Sequence, residues 1–69
     1  MPLYLAETGE EKIILRVGGS PDVRKHLEDM GFVAGAVVNI ISKNGENLIV
    51  SVKDTRIALS RETSGKISV

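Results

Sequence analysis

AVVNIISKNGENLIVSVKDTRIALS, residues 36–60, decides how this chain folds. Three Val/Ile-rich runs are separated by two polar breaks, at Asn44-Gly45 and at Asp54-Thr55. Asn-Gly between such runs is a strong hairpin signal, because both residues tolerate positive φ. The β-branched side chains on either side favour a pleated strand. A two-residue turn at Asn44-Gly45 sets Lys43 opposite Glu46, Ile41 opposite Leu48 and Val37 opposite Val52. A second turn at Asp54-Thr55 is weaker chemistry, since Thr resists positive φ. It sets Val52 against Ile57 and Val50 against Leu59. A three-stranded meander follows, with those residues on its core face. Val38, Ile40 and Ile49 are left on the opposite face. Either a bulge shifts the register, or these three form an outward apolar patch, which is covered by the helix Ser20–Met30 or another strand, or else serves as a contact surface.

Upstream, Leu3–Leu5 reads as a short strand, ETGEE as a turn around Gly9, and KIILRV (12–17) as one strand that ends at Gly18-Gly19. SPDVRKHLEDM, residues 20–30, is a helix. Ser20 is its N-cap, Pro21 suits the first helical position, and Asp22 complements the helix dipole. Val23, Leu27 and Met30 fall on one apolar face. Gly31 supplies the positive φ that closes the helix. Downstream, SRETSG allows one capped helical turn, and KISV closes as a strand with Ile67 and Val69 inward. The sum is mainly β: a small SH3-like barrel of five to six strands with one inserted α-helix at about 20–30, in a single domain over 1–69.

Composition narrows the function. The 69 residues hold no cysteine, so disulfides and thiolate chemistry are excluded. Leu, Ile and Val number 21 and supply the core. Nine basic and nine acidic side chains cancel and are scattered. That argues against a nucleic-acid grip, which needs clustered Lys and Arg. Tyr4 and Phe32 are the only aromatics, too few for stacking platforms or grooves for Pro-rich segments. Glycine aside, no apolar run exceeds four residues, and no signal peptide follows Met1, which makes the cytoplasm the default address.

No catalytic constellation is written. His26 is the only histidine, with no H-x-x-x-H spacing and no cysteine as co-ligand. The serines at 20, 42, 51, 60 and 64 lack a G-x-S-x-G elbow. Gly18-Gly19-Ser20 precedes a helix but matches no phosphate-loop spacing. Glu7, Glu10 and Glu11 do not make a hard-cation loop. The reading is therefore a non-enzymatic contact module without catalytic, cofactor or metal residues. Its candidate partner contacts are Val38, Ile40 and Ile49, rimmed by Arg24, His26 and Glu28.

The linked motifs GSPDVRKHLEDMGFVAGAVVNII and IVSVKDTRIALSRETSGKISV resemble the FeoA family. Arg24, Leu27, Met30, Gly31, Gly35, Ala58, Leu59, Ile67 and Val69 match its pattern. Phe32, Ala34 and Gly65 depart from it, standing where Leu, Pro and Ala are usual. The resemblance implies an SH3-like barrel that is not an enzyme. It implies support of Fe(II) uptake through the cytosolic GTPase region of a FeoB-type transporter, and a family-level association with transition metal ions. It leaves self-association open. Two rival readings are a stand-alone relative of the SH3-like domain of iron-dependent repressors, and a nucleic-acid-binding SH3-like module.

Overall fold

In the computed structural model, which describes Met1–Val69, a 3-10 turn (Leu3–Leu5) leads into β1 (Glu11–Ile13) and β2 (Arg16–Val17). Helix α1 (Pro21–Asp29) follows, then β3 (Val37–Asn44), β4 (Asn47–Val52) and β5 (Thr55–Ser60). A one-turn helix α2 (Arg61–Ser64) and β6 (Ile67–Ser68) complete the chain. The strands form two antiparallel sheets, ordered β1-β3-β4-β5 and β2-β6. No helix is long and apolar enough to cross a membrane.

The meander forms as its alternation requires, but both turns sit one residue away from the expected places. Asn44 pairs with Asn47, so the central residues of the first turn are Gly45 and Glu46. Gly45 takes φ +63°, at the position where a II′ turn places its glycine. Lys43 therefore faces Leu48 rather than Glu46. In the second turn Val52 pairs with Thr55, and Lys53 and Asp54 both adopt positive φ, 51° and 62°. The positive φ falls on Lys and Asp, so Thr55 is free to be extended. Val50 now opposes Ile57 and Leu48 opposes Leu59. This offset moves the pairing by two positions, so the inward face of β4 and β5 is the expected one.

A bulge between Ile40 and Ser42 then shifts the β3–β4 register. One extra residue on one strand exchanges its faces. Val38 now opposes Val52 and Ile40 opposes Val50. They are 0% and 2% exposed. The outward patch expected from Val38, Ile40 and Ile49 is thereby corrected: the first two are core. Only Ile49 stays on the outer face, half-buried between Ser42 and Ala58. Val37, expected inward, is exposed opposite Ile13.

The N-terminal readings also change. KIILRV is not one strand. Glu11–Ile13 pairs with β3, Arg16–Val17 pairs with β6, and Ile14 between them turns into the core. Its N–H donates to the Ala36 carbonyl and its carbonyl accepts from Gly35. One short segment so joins the two sheets. Leu3–Leu5 is a 3-10 turn rather than a strand, with Leu3 and Ala6 buried. In the turn before β1, Glu10 Oε1 accepts the Glu7 N–H at 2.7 Å, and Lys12 Nζ lies 3.2 Å from Oε2. That backbone hydrogen bond first, then Lys12, holds the Glu10 carboxyl below the usual carboxylate range. Its stabilising effect is present above the ordinary pKa and is lost as acid protonates it.

Helix α1 is capped at both ends as its sequence demands. Ser20 Oγ accepts from Val23 N–H, with Pro21 next to it. At the other end Phe32 N–H donates to Leu27 O and Gly31 N–H to Glu28 O. That pair is a Schellman closure, and Gly31 at φ +107° permits it. Ser60 caps α2 in the same way, accepting from Thr63 N–H. Leu3, Ile14, Leu27, Phe32, Val38, Ile40, Val50 and Ile67 lie at the centre of the core. No buried side-chain polar atom is left without a partner.

At about 0.05–0.15 kcal/mol per residue, such a domain holds roughly 3–10 kcal/mol of stability. Burying an unpaired carboxylate at position 40 costs several kcal/mol. Ile40→Asp should therefore abolish the cooperative thermal transition seen by circular dichroism, whereas Ile13→Asp, at an exposed position, should keep it. Positive φ strains Lys53 by about 1–2 kcal/mol, whereas Asp54 tolerates it. Lys53→Gly should raise the melting temperature by several degrees, and a fall would contradict the turn geometry.

Candidate functional site

The apolar face of α1 is wider than the strip it buries. Leu27 is fully covered, while Val23 and Met30 are half-buried. They form one wall of a groove of about 450 Å³ between α1 and β5. Ile57, Ala58 and Leu59 line the facing side, and Asp22, His26, Ser60 and Thr63 supply its polar positions. Gly31, at φ +107°, closes α1 beside the β4–β5 turn, where it meets the Lys53 side chain. The helix and β5 are thus held side by side without filling the space between them.

Chemistry in the groove is sparse. Ser60 Oγ accepts from Thr63 N–H at 3.1 Å and donates to Thr63 Oγ1 at 3.0 Å, so its hydroxyl is committed to capping. No three of the chain's His, Asp and Glu side chains gather where they could hold a metal ion. What the groove offers is an apolar floor with a polar mouth, the composition of a site for another molecule's aliphatic side chains.

Of the candidate partner contacts read from the sequence, His26 alone lines this groove. Arg24 and Glu28 are exposed on other faces of α1. Val38 and Ile40 are buried away from it, and Ile49 stands alone on the outer sheet face. Val23, Met30 and Ile57 were legible only as core residues. Their partial exposure follows from how α1 sits against β5, which helical periodicity does not contain.

Two other surface features exist. A smaller recess of about 200 Å³ is lined by Tyr4, Lys43, Asn47 and Arg61 among others, with the Arg61 guanidinium 5.0 Å from the Tyr4 ring centre. Ile13, Leu15 and Val37 are exposed aliphatics where the two sheets meet. Ile13 and Val37 are a direct cross-strand pair.

A four-stranded antiparallel sheet joined to a short two-stranded one, with a helix inserted before the meander, defines an SH3-like domain. The FeoA domain family matches residues 1–69, and the chain belongs to that family. It is 31% identical over 68 residues to a protein of Methanocaldococcus jannaschii described as Fe(2+) transport protein A, covering 99% of this chain and 83% of that one. It is also 31% identical over 71 residues to the Fe(2+) transport protein A/Fe(2+) transporter FeoB fusion protein of Porphyromonas gingivalis. That match covers 100% of this chain and 8% of the fusion. Among solved structures, the zinc-complexed FeoA of Stenotrophomonas maltophilia, described as a prokaryotic SH3 domain protein, superposes with a TM-score of 0.89 at 27% identity, covering 100% of this chain and 88% of that one. The expected family and SH3-like fold are therefore shown, and the family is associated with Fe(2+) transport.

His26 is exposed and makes no side-chain hydrogen bond to the rest of the chain. His26→Ala should shift stability by no more than about 0.5 kcal/mol in urea unfolding. A larger loss would mean that the imidazole carries structure.

Proposed function

We propose that this domain is a non-enzymatic adaptor of ferrous-iron uptake that docks on the cytosolic part of a FeoB-type transporter through the α1–β5 groove. One observation carries the reading: in the Porphyromonas gingivalis relative, a stretch similar to the whole of this chain is fused to the transporter itself. Fusion holds two modules at high effective concentration, which suits a contact that is modest when the partners are separate. The groove supplies what such a contact needs, exposed parts of Val23, Met30 and Ile57 within a polar rim.

The mechanism is contact without chemistry. Docking biases which state of the partner is populated, by the difference in affinity for its two states. The domain works in the cytoplasm and meets the membrane only through that partner. The GTPase region is the natural target, because its nucleotide states give the adaptor two conformations to distinguish.

The test is a titration of the labelled domain with the cytosolic region of the FeoB-type transporter from the same genome, with and without guanine nucleotide. Resonances of Val23, Met30 and Ile57 should shift. Met30→Asp should raise Kd at least tenfold, about 1.4 kcal/mol, while Ile13→Asp leaves it unchanged. The reverse pattern would move the docking face to the Ile13–Val37 strip. Absence of binding in every nucleotide state would end the proposal.

A further inference from the structure

One wall of the groove is a free strand edge. β5 is the last strand of its sheet. Ile40 N–H donates to Glu10 O at 2.9 Å, and Gly9 N–H donates to Ile40 O at 2.8 Å, so the backbone of Ile40 faces the β1 side. Alternation then turns Asn39 toward β4, opposite Ser51. It next turns Val50 and Val52 toward β5, opposite Ile57 and Thr55. Ile57, Thr55 and Leu59 are bonded to β4, and the N–H and C=O groups of Arg56 and Ala58 point away from the sheet. No backbone bond outside the ladder uses Arg56 or Ala58. The other edge strand, β1, has three residues and no groove beside it.

We propose that an extended segment of the partner protein adds to β5 as a further strand, pairing with the backbone of Arg56 and Ala58. This rests on the reading of the groove as the docking face and names how the face is used. A guest strand lies about 4.8 Å from β5, which places it in the space before α1. Its alternate side chains then point at Val23, Leu27 and Met30, so main-chain bonds supply affinity and the groove selects aliphatic residues at every second position. Six residues of β5 accommodate a guest of roughly 20 Å.

Charge sets the ends. Asp22 lines the groove with Ser60 and Thr63, while Lys53, against Gly31, and Arg56, at the start of β5, lie outside the lining beyond the Met30 end. None of these three charges is in an ion pair. The matching segment carries a base toward Asp22 and an acid toward Lys53 and Arg56.

Hydrogen exchange of the wild-type chain, measured by NMR with and without the saturating cytosolic region of the FeoB-type transporter, tests this directly. The amides of Arg56 and Ala58 should slow at least tenfold on binding. Ala58→Pro removes a donor from the free edge while sparing the β4–β5 ladder. It should weaken binding at least tenfold in a chain whose spectrum stays folded; if it fails to fold, the wild-type exchange decides. Binding that Met30→Asp weakens, with Arg56 and Ala58 exchanging as before, would overturn strand addition and leave the groove as docking face. Pairing of β5 with a second copy, seen as the same protection without the partner at high concentration, would also overturn it. No binding at all would remove both.

Discussion

The single extra residue in β3 governs the rest of the structure. Without the bulge between Ile40 and Ser42, β3 would present Val37 and Ile41 to the interior and expose Val38 and Ile40. With it, Val38 and Ile40 meet Val52 and Val50 across the strand pair and seal the core beside Phe32 and Leu27. A bulge also increases local twist, which helps a short sheet curl enough to cover its own face. The break at Ile14 does the matching work on the other side, letting one segment pair with β3 and then with β6. A domain of 69 residues without disulfides has little stability to spare, and these two irregularities are how its aliphatics become one core.

The same arrangement decides where function can lie. Once β3 buries Val38 and Ile40, the sheet's outer face keeps Ile49 by itself and the exposed Ile13–Val37 pair at the β1 edge. The continuous recess is then the groove where α1 runs beside β5 without closing on it. Its walls come from positions that serve the core with one part of the side chain and the surface with another, as in Val23, Met30 and Ile57. Such a groove offers shape and aliphatic bulk to a partner, which is what the proposed adaptor role requires.

Much of the fold is legible in the chain, for reasons that can be named. The caps of α1 are written in Ser20, Pro21 and Gly31, and the inward faces of β4 and β5 in strict alternation. Turn placement is less legible. Asn44-Gly45 announces a turn, but the φ-positive glycine takes the first central position and displaces the pair by one residue. Asp54 is a residue that tolerates positive φ, but Lys53, which adopts it too, carries no such signal. The bulge leaves no mark in composition, since Ile40 and Ile41 are chemically identical and only tertiary packing chooses between them. Alternation does register the conflict, because an undistorted hairpin strands Val38 and Ile40 outside. Of the groove's lining, the contact reading from the sequence names only His26. The groove exists because two elements distant in sequence lie side by side, and no local pattern encodes that spacing.

The central claim is that burial of β3's aliphatics leaves the α1–β5 groove as the face a partner covers. Relaxation of methyl signals by a soluble paramagnetic probe, recorded with and without the cytosolic region of the FeoB-type transporter, tests it most directly. The account predicts that Val38 and Ile40 stay shielded in both samples, while Val23 and Met30 relax fast alone and become protected on binding. Fast relaxation at Ile40, or protection that falls on Ile13 and Val37 instead of the groove, would contradict it.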